Sequence, residues 1–154
     1  MAKSRPSKNP SHPLRTPIEL KLEESVTRAL YKAKQLKDTC CNQINLRYAK
    51  QSKKFFQTRS VSLATWDALD ELVVALKFHA NTPLSDVQKK LEYLSIASRL
   101  IHSVSERLVE CQSVNLIHPP ELNKDIELLN EIRLHVRNLE SSILSRSISN
   151  SSLK

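Results

Sequence analysis

The chain has 154 residues, 40% apolar and 26% charged, with a net charge of +8, three cysteines and no glycine. The absence of glycine rules against the tight turns of an all-β fold and against the phosphate loops of a doubly wound sheet. Three cysteines exclude a disulfide framework, and with only 5% aromatics the core must be aliphatic. The expectation is an all-α chain whose turns are built from Pro, Asn, Ser and His.

Residues 1–15 carry Pro6, Pro10 and Pro13 and four cations, Lys3, Arg5, Lys8 and Arg15, with no acid. Such a segment buries too little apolar surface to offset its ordering entropy, so it is expected to be a disordered basic tail. It lacks the apolar core of a secretory signal. Thr16-Pro17-Ile18-Glu19 then combines a cap, a proline at the first helical position and a capping box. Leu22, Val26, Ala29, Ala33, Leu36, Cys40 and Ile44 follow at bundle spacing. Nothing before Phe56 breaks a helix, which predicts a long first helix, weakest over Thr39–Asn45. Gln57–Ser62 is the expected turn.

A second helix is predicted over Ser62–His79, with Trp66, Leu69, Leu72, Val73, Leu76 and Ala80 inward and Trp66 as a core anchor. Asn81-Thr82-Pro83 stops it. A third begins at Ser85 with the capping box Ser85-Asp86-Val87-Gln88. Its stripe is Val87, Leu91, Leu94, Ala97, Ile101, Val104, Leu108 and Cys111. The fourth runs from about Pro120 to Arg146, with Leu122, Ile126, Leu129, Ile132, Val136, Leu139 and Ile143 inward. Residues 147–154 are an expected disordered Ser-rich tail. Short connections between four amphipathic helices predict one domain over 16–146, an antiparallel up-down-up-down four-helix bundle. Core cysteines at Cys40 and Cys111 suit a reducing compartment, and no apolar run approaches a membrane span. A cytoplasmic protein is expected.

No catalytic signature emerges. Walker and Rossmann loops need glycine, and H-E-x-x-H, C-x-x-C and the paired Glu-x-x-His of di-iron bundles are missing. Glu131/His135 and His102/Glu106 are i, i+4 pairs best explained as surface ion pairs. The expectation is a protein that is not an enzyme and has no metal or cofactor. The charge, by contrast, is strongly patterned. Residues 1–59 hold fourteen Lys and Arg against four acids, whereas residues 85–146 hold eight against nine. Lys32, Lys34, Lys37, Arg47, Lys50, Lys53, Lys54 and Arg59 lie in a stretch with one acid, Asp38. These eight are the candidate nucleic-acid-binding residues: cations so concentrated contact phosphates and release counterions. Tyr48, Phe55 and Phe56 lie among them and offer stacking surfaces for unpaired bases, with packing at the bundle end as their competing use. No helix-turn-helix, RRM, KH or zinc-finger pattern is present, which favours RNA over a base-specific duplex site. The alternative use of the charge is an adaptor helix docked on an acidic protein partner.

Lys89-Lys90-Leu91-Glu92-Tyr93-Leu94-Ser95-Ile96-Ala97, Asn115-Leu116-Ile117-His118-Pro119-Pro120-Glu121-Leu122 and Leu129-Asn130-Glu131-Ile132-Arg133 resemble the last two helices of a four-helix-bundle superfamily. It comprises the accessory variability determinant proteins of diversity-generating retroelements and the proteins encoded in ribosomal RNA intervening sequences. The match covers roughly residues 87–140. The resemblance implies a homo-oligomer, a pentameric barrel with a basic nucleic-acid-binding surface, and in the retroelement branch a reverse transcriptase as partner.

Overall fold

A computed structural model describes the backbone of residues 17–48 and 55–152, and their side chains except those of 18, 55, 56 and 147–152. Every regular element among the described residues is helical: α1 (Pro17–Tyr48), α2 (Phe55–Asn81), α3 (Val87–Ser113) and α4 (Pro119–Ser152). Each packs on two neighbours, α1 and α3 both lying against α2 and α4. The result is a four-helix bundle around one aliphatic core. Among the described residues no helix is long and apolar enough to cross a membrane.

The buried seams advance in steps of three and four residues. On α1 all seven apolar stripe residues, Leu22 to Ile44, are buried. Helix α1 passes unbroken through Thr39–Asn45. On α2 the buried seam is Ser62, Thr65, Leu69, Leu72, Leu76 and His79. On α3 it is Lys90, Leu94, Ala97, Ile101, Val104, Leu108 and Cys111, and on α4 Asp125, Leu129, Ile132, Val136, Leu139 and Ile143. Four expected positions therefore shift by one: Thr65 is buried in place of Trp66, His79 in place of Ala80, Lys90 in place of Leu91, and Asp125 in place of Ile126. Helical phase outweighs polarity there, because the apolar neighbour lies about 100° around the helix and reaches only the flank.

Element ends differ too. The expected turn at Gln57–Ser62 is helical, part of α2, and Phe55 and Phe56 open that helix instead of closing the first. Thr58, Ser62 and Thr65 are buried along it, which gives this stretch a core face that the apolar pattern did not display. Helix α1 has 32 residues and α4 has 34, and α2 is already under way at Phe56, where the first helix was expected to run. Helix α4 continues six residues beyond Arg146. No proline or glycine stops it, and serine is only about 0.5 kcal/mol poorer than alanine in a helix. The cap of α3 is Asp86, not Ser85: its carboxylate accepts the Lys89 N–H at 3.2 Å. Thr16, residues 1–15 and residues 153–154 lie outside the described residues.

A chain without glycine must end its helices by other means. Asn115 adopts φ 64°, the left-handed conformation usually left to glycine. The Leu116 N–H then reaches Cys111 O at 2.8 Å and the Asn115 N–H reaches Gln112 O at 3.1 Å. These are the paired bonds of a Schellman cap, and Leu116 is buried as its hydrophobic contact. Helix α2 ends differently: the buried Lys90 ammonium donates to the His79 carbonyl at 2.8 Å.

Candidate nucleic-acid interface

Of the eight cations in the basic stretch, Lys50, Lys53 and Lys54 lie outside the described residues. Three of the other five are held by acids of other helices. Lys32 pairs with Glu131 of α4 at 2.6 Å and Lys37 with Asp70 of α2 at 2.8 Å. The Lys37 bond holds the Asp70 carboxyl below its ordinary range and raises the Lys37 ammonium above its own. Arg47 is the most committed. Its guanidinium forks onto both oxygens of Glu121, Nη2 meeting Oε2 at 3.0 Å, and also donates to the Leu116 carbonyl at 3.2 Å. Glu121 at the same time accepts the His118 N–H at 2.9 Å, the returning half of a capping box at the start of α4. Arg47, followed by the His118 bond, holds the Glu121 carboxyl below the usual range.

Lys34 and Arg59 are exposed and form no ion pair among the described residues. They do not form one patch. Lys34 lies fourteen residues before the end of α1, about 20 Å along the axis, whereas Arg59 belongs to the first turns of α2. Tyr48 is half-buried and packs against the core. The side chains of Phe55 and Phe56 lie outside the described set. Trp66, expected as a core anchor, packs only partly buried against the core, and its indole N–H is buried without a hydrogen-bond partner.

The ion pairs expected on α3 and α4 divide. His102 meets Glu106 at 3.8 Å on an exposed face. Glu131 turns instead to Lys32, and His135 is held below its ordinary pKa by burial and then by Lys32 and Arg28.

Sequence patterning missed two polar groups in the core. Near the Arg47 end, Asp125 is buried with Cys40 and Gln43 against it; Gln43 Nε2 donates to Asp125 Oδ1 at 3.4 Å. Burial pushes the Asp125 carboxyl up to about 6, and pushes the Cys40 thiol up as well. Thr65 spends its hydroxyl proton on the Val61 carbonyl at 2.7 Å, so the Cys111 thiol donates to Thr65 Oγ1 at 3.1 Å. Burial raises that thiol to about 11, so neither thiol is a nucleophile. At the opposite end, His79 and Lys90 form a reciprocal contact, with His79 Nδ1 3.1 Å from the Lys90 carbonyl. Burial, with the Lys90 charge, lowers His79 to about 4. The signal was present: continuing each three–four seam by one step lands on these residues. Among the described residues no group of His, Cys, Asp or Glu could hold a metal ion.

No protein-family model, no curated protein and no solved structure matches the chain.

Proposed function

We propose that this chain is a non-enzymatic, nucleic-acid-binding accessory protein, taking RNA in preference to duplex DNA. The observation that carries this reading is the charge distribution: eight cations against one acid over residues 32–59, beside a nearly neutral second half. With Lys32, Lys37 and Arg47 engaged by acids, the contacts to phosphate fall to Lys34, Lys50, Lys53, Lys54 and Arg59. Four of these belong to the junction between α1 and α2 or the start of α2. The proposed interface then centres on the stretch of chain from Lys50 to Arg59, with Lys34 apart from it on α1.

The reading includes an antiparallel up-down-up-down arrangement. The order of the α1–α4 ion pairs supports it: Glu19 with Arg146, Lys32 with Glu131 and Arg47 with Glu121. Partner numbers fall along α4 as they rise along α1. That arrangement brings the α1–α2 junction and the start of α4 to one end. A cytoplasmic homo-oligomer serving a reverse transcriptase is the form of this function that the resemblance to retroelement accessory proteins favours.

Fluorescence anisotropy with labelled single-stranded RNA, duplex RNA and duplex DNA over a salt series tests the proposal. Binding is expected to weaken steeply with salt, and combined substitution of Lys50, Lys53, Lys54 and Arg59 by Ala should abolish most of it. Salt-insensitive binding or none would sink it. A protein complex that survives nuclease treatment and needs the same cations would favour an adaptor on an acidic partner.

A further inference from the structure

A groove runs between the first turns of α1, the α2–α3 connection and the last part of α4. It consists of a hollow of about 410 Å³ and a smaller one of about 250 Å³, which share Glu19, Leu84 and Ile143 as walls. Its apolar lining includes Leu22, Val26, Leu84, Val87 and Ile143. The charged lining is close to balance, with Glu19 and Glu23 against Lys90 and Arg146, so the groove calls for no charged ligand. Leu84 and Val87 are only half-buried, and the wall left open is aliphatic.

What covers that wall is decided by the covalent chain. Helix α1 starts at Pro17, and Glu19 and Leu22 already line the groove, about 3 and 8 Å along the axis. Leu14 lies three residues before Pro17 and is the one large aliphatic side chain between Lys3 and Pro17. At full extension its backbone reaches roughly 10 Å from the helix start, far enough to lie over Glu19 and Leu22. A side chain tethered that closely has an effective concentration on the order of millimolar, which a second copy of the chain at micromolar concentration does not match. The ordering cost is also reduced. Pro13 and Pro17 have fixed φ, and His12 and Thr16 before them are restricted to extended backbone. Residues 1–16 contain no acid, so Glu19 and Glu23 on the α1 side of the groove meet no like charge from them.

We propose that residues 13–16 turn back over this groove and seat Leu14 against Leu22, Leu84 and Ile143. The segment ahead of the first helix is thus a strap that closes the aliphatic wall between α1, the α2–α3 connection and α4. It uses none of the cations assigned to nucleic acid.

Methyl NMR on the full chain tests this. Nuclear Overhauser contacts are expected from the Leu14 methyls to those of Leu22, Leu84 and Ile143. Leu14→Met should keep contacts to the same residues. Leu14→Asp should remove them, with amide shifts confined to residues 19–26, 82–87 and 139–146. Amide exchange at residues 21–24 should then be at least about threefold faster, as the first turns of α1 lose their cover. Contacts between labelled and unlabelled chains in an equimolar mixture would overturn the proposal in favour of a second copy. The absence of any contact from Leu14 to the groove, or of any shift there in Leu14→Asp, would overturn it outright.

Discussion

Asn115 shows how much one side chain carries in a chain without glycine. Its φ of 64° allows the two capping bonds that end α3 and bury Leu116. Asn115→Ala should cost about 1 kcal/mol, because a Cβ without a local polar partner disfavours that conformation, whereas Asn115→Gly should be neutral or slightly stabilising. Urea denaturation separates the two outcomes. The buried ionisable groups make opposed contributions with pH. Asp125 has a folded pKa of about 6, above its unfolded value, so its contribution is complete below the unfolded pKa and is lost as pH rises through about 6. His79 has a folded pKa of about 4, below its unfolded value, so its contribution is present above about 6.5 and is lost as pH falls toward 4. The depressed His135 acts in the same direction as His79. Across pH 4–6.5 the two effects largely offset. Asp125→Asn should therefore expose stability that rises with pH, and His79→Gln stability that falls with pH, each by on the order of 2–3 kcal/mol over the window. Parallel slopes in both variants would refute the assignment.

Between elements, the decisive contact is the junction of α1 with the start of α4. Glu121 both returns the capping bond to His118 and receives the Arg47 fork, while Arg47 also satisfies the Leu116 carbonyl in the α3–α4 connection. One ion pair thus fastens a helix start, a helix-to-helix connection and the end of α1. Both side chains are mostly buried, at 18% and 28% exposure, so the pair is worth more than an exposed one. Arg47→Ala and Glu121→Ala should each destabilise by about 1–3 kcal/mol, with coupling of at least about 1 kcal/mol in a double-mutant cycle. Arg47→Lys should recover little, since an ammonium cannot reproduce the fork. The seam itself is less forgiving: Ile101→Ala, at 0% exposure, should cost about 2–5 kcal/mol in the same denaturation assay.

For the whole molecule, net charge is a poor guide to available charge. Acids on α2 and α4 take up Lys37, Lys32 and Arg47, so α1 presents less free positive charge than its sequence implies. This separates two sets of cations by assay. Lys32→Ala with Lys37→Ala should change RNA affinity by less than threefold. Removing Lys50, Lys53, Lys54 and Arg59 should flatten the salt dependence by about 2–3 in the log–log slope, near 0.7 per lost single-strand phosphate contact. Equal losses from both sets would place the interface along the side of α1.

The helical class, the number of helices and most of the core follow from periodicity and the lack of glycine. Apolar residues at three–four spacing can bury themselves in one way only, and from Leu22 to Ile44 every stripe position is buried. The seam ends were less legible. Gln43, His79, Lys90 and Asp125 continue the spacing but not the polarity, and each meets a polar partner on another helix. The Gln57–Ser62 stretch was obscure because its inward residues, Thr58 and Ser62, carry hydroxyls and are silent in an apolar pattern. The candidate interface divided similarly. Its cations could be counted along the chain, but which of them are neutralised depends on acids as far away in sequence as Glu131 is from Lys32. Periodicity is a local property and was settled by the sequence; pairing across helices is not, and only the tertiary structure decided it.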